Sequence, residues 1–348
     1  METKELQTAL KKLSKIVKSK TTLPVLLCVL FHNVDGKLHI TANNQECSAT
    51  IPIDAPGFNL AVPFQEFYNW IQKVKELEVE LRVDDDVLYA TTETSSCNIK
   101  CLDWNLFPYF SIECDTSPFN GDLKLRLQQA LASASSADSA FLALSGVNII
   151  SEGSTLKINA SNGLEACCIN TFAEGLPPFN IVVPINSVSA LMQFLGEPVN
   201  IGVLNNRDVV IHNEHFFFTS QLIDAPFPDV RRIIPVSFQT EVTVKAKELK
   251  TSVDKALVFA FVNFVELNIG TSILVSTTNS NAGAETDVEI VEITGPPVTI
   301  GINGSMLTNK LHEGIVKLSL NGPNSPLRLT IEDDEDYVAI IMPMSLKR

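Results

Sequence analysis

Apolar residues recur along the chain in two rhythms. Across residues 4–18 they fall at Leu6, Leu10, Leu13, Ile16 and Val17, the spacing of one helical face. Helix spacing returns at 65–74, 128–137, 187–195, 246–257 and 305–311. Alternation marks residues 78–83 and 200–204 as strands, and 208–212 faces the run 215–219 across a short turn. Further strands are expected at 123–127, 241–244 and 337–342. Hairpin turns are expected at Asp35-Gly36 and Glu152-Gly153. The acidic run Glu332 to Asp336 reads as a solvated turn.

These elements occur in the same order three times. The heptapeptides LHITANN from Leu38, LKINASN from Leu156 and LVSTTNS from Leu274 start 118 residues apart both times. A second landmark follows each: FNLAVP from Phe58, FNIVVP from Phe179 and VTIGIN from Val298. Each landmark runs into a helical segment. Internal repetition of this kind defines the architecture. The expected fold class is α+β, in three domains at 1–117, 118–237 and 238–348, each with two helices packed on antiparallel sheets.

Composition narrows the function. With 348 residues, 45% hydrophobic and 19% charged, the chain has ample material for a core and is not a disordered polymer. No apolar run approaches the ~18 residues of a membrane span, and the N-terminus lacks a secretory pattern, so a cytoplasmic protein is expected. The seven cysteines form no Cys-x-x-Cys pair and read as reduced, buried thiols. No nucleophile stands with a base, there is no phosphate-binding glycine loop, and His212 and His215 lie three apart on a strand and its turn, a spacing that does not converge on a metal. Neither an enzyme, a cofactor nor a metal is expected.

The net charge of −14 argues against a surface that coats nucleic acid everywhere. Its distribution says more. On the first helix Lys4, Lys11, Lys15 and Lys18 share the face opposite the apolar stripe. On 246–257, Lys247 and Lys250 lie opposite Leu249, Val253, Ala256 and Leu257, with Asp254 between them. The matching segment of the second repeat is nearly uncharged, with Lys124 and Arg126 just before it. One lysine face alone is usually simple solvation. Lysines at the same place in successive repeats suit contact with phosphates that ignores sequence.

Four motifs sharpen this picture: TLPVL from Thr22, LSGV from Leu144, FPDVRRIIP from Phe227 and YVAIIMPMSL from Tyr337. With them, the chain resembles the bacterial DNA polymerase III beta subunit, the sliding clamp, over essentially its whole length. The resemblance implies a head-to-tail homodimer that closes a six-domain ring around double-stranded DNA and tethers the replicative polymerase for processive synthesis. It implies a non-catalytic subunit whose partners are the polymerase III catalytic subunit, the clamp loader, and other polymerases and repair proteins with clamp-binding peptides. The implied peptide pocket comprises Leu144, Ser161, Gly163, Pro228, Arg232, Ile233, Ile340, Met342, Pro343 and Met344. The implied DNA contacts are Lys20, Lys11, Lys15 and Lys247. Three departures from the family stand out. Leu164-Glu165 replaces the common His-Arg and is expected to reverse a charge beside the pocket. Ser345 replaces a frequent arginine. The first strand of domain one is shortened. The alternative reading is a module of the same fold that binds peptides without encircling DNA.

Overall fold

The first helix forms because its apolar residues meet on one side. In the computed structural model, which describes residues 1–109, 113–136, 140–278 and 282–346, α1 spans Thr3–Leu13. Its Leu6, Leu10 and Leu13 are fully buried, while Lys4 and Lys11 are exposed. Repeat one continues with β1 (Cys28–Val34), β2 (Lys37–Asn43), β3 (Cys47–Pro56), β4 (Leu60–Pro63), α2 (Phe64–Ile71), β5 (Glu80–Asp84), β6 (Val87–Thr91) and β7 (Ser96–Lys100). Repeat two holds β8 (Ser117–Phe119), α3 (Leu123–Leu131), β9 (Gly146–Glu152), β10 (Thr155–Ser161), β11 (Glu165–Phe172), β12 (Phe179–Pro184), α4 (Ile185–Leu191), β13 (Val199–Leu204), β14 (Asp208–Asn213) and β15 (Phe216–Gln221). Repeat three holds β16 (Thr240–Lys245), α5 (Ala246–Leu257), β17 (Phe264–Ile269), β18 (Ile273–Thr278), β19 (Gly283–Val288), β20 (Ile290–Thr294), β21 (Val298–Asn303), α6 (Gly304–Thr308), β22 (Ile315–Leu320), β23 (Leu327–Ile331) and β24 (Asp334–Ile341).

Every strand pair described is antiparallel, so the α+β class stands. One sheet runs β4-β1-β2-β3-β15-β14-β13-β8 and a second runs β12-β9-β10-β11-β24-β23-β22-β16-β20. Smaller sheets are β5-β6-β7 and β19-β18-β17-β21. Each large sheet joins strands of consecutive repeats: β3 pairs with β15, and β11 pairs with β24. Contacts accordingly gather the chain into two compact units, residues 1–122 with 186–222, and 123–185 with 223–348. No helix among the described residues is long and apolar enough to cross a membrane.

Several expectations need correction. Residues 123–127 are not a strand. They open α3, because Leu123, Leu127 and Ala130 are buried at helical spacing while Leu125 points outward. The helix expected at 128–137 ends at Leu131, and residues 137–139 lie outside the described residues. The strand of this repeat lies earlier, at β8, paired with β13. In repeat one that strand shrinks to a bridge between Glu2 and Glu78, as its short sequence implies. The Asp35-Gly36 turn is present, both residues having positive φ (52° and 84°), as a two-residue hairpin of this hand requires. Its counterpart sits one residue later than expected, at Gly153-Ser154. In β18 the buried positions are Ile273, Val275 and Thr277, so Leu274 is not the equivalent of the buried Leu38 and Leu156. The connection here, 270–272, is a residue longer than its counterparts and shifts the phase. In the acidic run only Glu332 and Asp333 form the turn; Asp334 starts β24 and pairs with Arg126 at 2.5 Å.

Five of the seven cysteines are buried, and burial pushes the Cys28 and Cys167 thiols up to about 12. His32 is also buried, with Nε2 3.0 Å from Thr41 Oγ1 and its ring against Tyr109. Burial, helped by His39, lowers its pKa from 6.5 to about 4. The unfolded chain therefore binds the extra proton between those values, and stability falls as pH drops from 6.5 toward 4. His32→Gln should flatten that acid limb in melting temperatures measured from pH 4 to 7; an unchanged slope would show that other groups control it.

Candidate functional site: an apolar groove and a lysine cleft

Antiparallel register decides which loops meet. Asn148 pairs with Asn159, Ser161 with Ala166, and Glu165 with Ile341. The start of β9, the end of β10, the start of β11 and the end of β24 therefore share one end of a sheet. Leu144 sits in the 3-10 turn Leu142–Ser145 that leads into β9. Ser161 closes β10, and Met342, Pro343 and Met344 follow β24. Met342 donates its N–H to Leu164 O at 2.9 Å, and Met344 donates to Gly301 O at 2.7 Å.

The second 3-10 turn, Val230–Ile233, docks on β11. Val230 packs with Ala166 and Cys168, and Phe227 and Ile234 close over them. Arg231 fixes the turn by donating to Asn170 Oδ1 at 3.0 Å. Arg232 points outward and donates to Asp229 at 2.9 Å. Pro228 and Ile233 are exposed beside it. Of the expected pocket residues, Ile340 and Ser161 are buried and form floor rather than surface, and Leu144 is half-buried. Exposed apolar groups at this end of the sheet include Leu142, Leu164, Ile233 and Met342.

The loop between β10 and β11 corrects one expectation. Glu165 presents no charge beside the expected pocket. It is buried and ion-paired with the fully buried Lys310, whose ammonium also donates to Ala132 O at 3.2 Å and Met306 O at 3.3 Å. The residue that does face outward is Leu164, 59% exposed. Gly163 has φ +87°, which a side chain would strain. Asn162 Oδ1 accepts from the N–H groups of Leu164 (2.9 Å) and Glu165 (3.0 Å). Leu142, Asn162, Val230 and Lys310 were not among the residues expected here. Asn162-Gly163 after a strand is a turn signal that points to part of this; nothing local marks Lys310.

The lysines gather elsewhere. Lys15, Lys18 and Lys20 follow α1 in a turn and loop and, with Asn44, Asn186 and Ser189, line a cleft of about 430 Å³. These three and Lys11 are exposed, and none is ion-paired among the described residues. Lys247 is exposed on α5, next to Lys245, which Glu248 neutralises at 2.9 Å. In α3, Arg126 is drawn to Asp334, leaving Lys124 as the exposed cation of that helix. His212 and His215 have separate partners: His212 bonds Thr116, and His215 faces Glu197 and Glu214.

Comparison with known proteins matches this architecture. Residues 1–111 match the family model of the DNA polymerase III beta subunit, N-terminal domain, and 231–345 match that of its C-terminal domain. The beta sliding clamp of Salmonella typhimurium is 25% identical over 99% of both chains, and that of Bacillus subtilis is 24% identical over 95% of this chain and 94% of its own. The solved Bacillus subtilis sliding clamp superposes with a TM-score of 0.90 at 22% identity, covering 100% of this chain and 98% of that one. A Pseudomonas aeruginosa sliding clamp bound to griselimycin does so at 0.90 and 21%, covering 99% and 98%. Since family models for both ends match well over half of the sequence, and relatives align along its whole length, the chain belongs to the DNA polymerase III beta subunit family.

Proposed function

We infer that this protein is a DNA sliding clamp: a non-catalytic processivity subunit that encircles duplex DNA and tethers the replicative polymerase. The observation that carries this reading is the cluster of exposed lysines, free of ion pairs among the described residues, on a chain of net charge −14. A ring that holds DNA topologically needs positive charge only on its lining, and an acidic exterior discourages binding elsewhere. The lining contacts are Lys11, Lys15, Lys20 and Lys247. The organisation is three domains, 1–117, 118–237 and 238–348, in a protein of the bacterial cytoplasm.

Two protomers close the ring head-to-tail, domain one of each against domain three of the other. Exposed apolar side chains on both domains support this. On domain one, Leu77 is 87% exposed in a cleft of about 880 Å³ that Phe58 and Leu81 line together with Lys75, Glu76, Glu78, Glu80 and Glu93. On domain three, Val258, Phe259, Phe261 and Val262 are exposed after α5. The groove around Leu144, Ser161, Gly163, Leu164, Pro228, Arg232, Ile233, Ile340, Met342, Pro343 and Met344 is the site for partner peptides, including those of the polymerase, the clamp loader and repair proteins. Methionine and leucine give it an adaptable apolar surface.

Retention on DNA tests the ring. Loaded onto nicked circular DNA and freed of excess protein by gel filtration, the clamp should stay bound, and linearising the circle should release it. Equal loss from circle and linear DNA would favour the alternative, a peptide-binding module of the same fold that does not encircle DNA.

A further inference from the structure

We propose that Lys310 is a positioning residue for partner-peptide binding, acting through Glu165 and Asn162 on the Gly163-Leu164 lip of the groove. The proposal rests on the reading of that groove as the peptide site. Lys310 lies just past α6, and its ammonium donates to Glu165 Oε2. The other carboxylate oxygen, Oε1, accepts from Asn162 Nδ2 at 2.8 Å. That bond orients the amide so that its Oδ1 faces the N–H groups of Leu164 and Glu165. Ser161 Oγ donates to Glu165 O at 2.7 Å and accepts from Gly163 N at 3.1 Å. Leu164 O accepts from Met342. The loop's polar groups are thus directed inward, and the Leu164 side chain is what remains at the surface.

The internal repeat carries a second braced turn for comparison. Repeat one builds the same turn. Asn44 Oδ1 accepts from Glu46 N (3.0 Å) and Cys47 N (2.8 Å), Gln45 has φ +76°, and Glu46 O accepts from Gln221 N at 2.9 Å. There too a brace comes from the second helix of the following repeat: Ser187 of α4 donates to Glu46 Oε1 at 2.9 Å. In repeat one the braced side chain is Glu46 itself, a polar residue at the lip. In repeat two the brace moves one residue on, to Glu165, which leaves the lip position to an apolar side chain. A buried ion pair contributes little net stability but can specify one geometry. Here the geometry it specifies is that of the lip.

The test uses the full-length dimer and a labelled peptide carrying the clamp-binding segment of the same organism's replicative polymerase. Glu165→Leu with Lys310→Met removes both charges and the acceptor for Asn162. It should melt close to the parent yet bind the peptide roughly tenfold more weakly, the cost of ordering a loosened loop on binding. Glu165→Gln with Lys310→Met restores an acceptor for Asn162 without the anchor that Lys310 supplies and should recover only part of the affinity; full recovery would overturn the role of Lys310. Asn162→Ala reads the same link without touching the ion pair and should weaken binding similarly, which keeps the test open should the apolar pair fail to fold. Parent-like binding by the apolar pair or by Asn162→Ala would overturn the proposal and leave Lys310 as a packing element only. Leu164→Glu separates the two readings. If it abolishes binding while the other variants bind normally, the groove stands and the positioning role falls; if it too binds normally, the groove itself is misassigned.

Discussion

Lys310→Met should cost the protein roughly 3–5 kcal/mol, because it strands the Glu165 carboxylate where water cannot reach it. Neither member of the pair has an exposed alternative: Lys310 is 0% and Glu165 5% exposed. Two carbonyls, Ala132 O and Met306 O, lose their shared donor in the same step. A loss of that size lowers the melting temperature by on the order of 10 °C. Differential scanning calorimetry of the variant measures it. Adding Glu165→Leu should return most of the loss, since an apolar pair of similar volume is often neutral or better than a buried ion pair. A Lys310→Met protein that melts within a degree or two of the parent would mean that water reaches Glu165.

This pair also shows where sequence reading stops. Glu165 and Lys310 are 145 residues apart, and Leu164-Glu165 beside a recognised pocket motif invites the assumption that both side chains face outward. Alternation cannot settle which one turns in, because β11 is buried without a break from Glu165 to Ile169; the distant Lys310 does. The segment LKLRL at 123–127 fails for a related reason. Its leucines satisfy a period of two over five residues, yet Leu123, Leu127 and Ala130 also satisfy the helical period, and the longer window is the correct one. By contrast α5 is legible to the residue at Ala246–Leu257. Its apolar stripe and flanking lysines run for three turns without an ambiguous phase, and a strand precedes it directly. The repeat was legible from LHITANN and LKINASN, but its third member slid by one position because a loop gained a residue. For Glu165 and for the third repeat, what the linear pattern lacked was a distant contact and a loop length, not a propensity.

Changing Lys15, Lys18 and Lys20 together to glutamate should weaken binding to a short DNA duplex by two to three orders of magnitude near 100 mM salt, and should make the dependence of log K on log salt shallower by up to about 3. Each lysine that neutralises a phosphate releases a counterion, with a slope of about 0.9 per contact. The three side chains are exposed and free of ion pairs among the described residues, so their charge is available for phosphates instead of being spent on neighbouring carboxylates. Folding should be little affected, because the apolar face of α1 and the buried Ile16 do the packing here. Fluorescence anisotropy over a salt series gives both quantities. A ring should behave differently on a nicked circle, where the same variant should load less efficiently but, once closed, remain until the circle is cut. An unchanged salt slope would return these lysines to ordinary solvated surface and move the DNA contact elsewhere on the molecule.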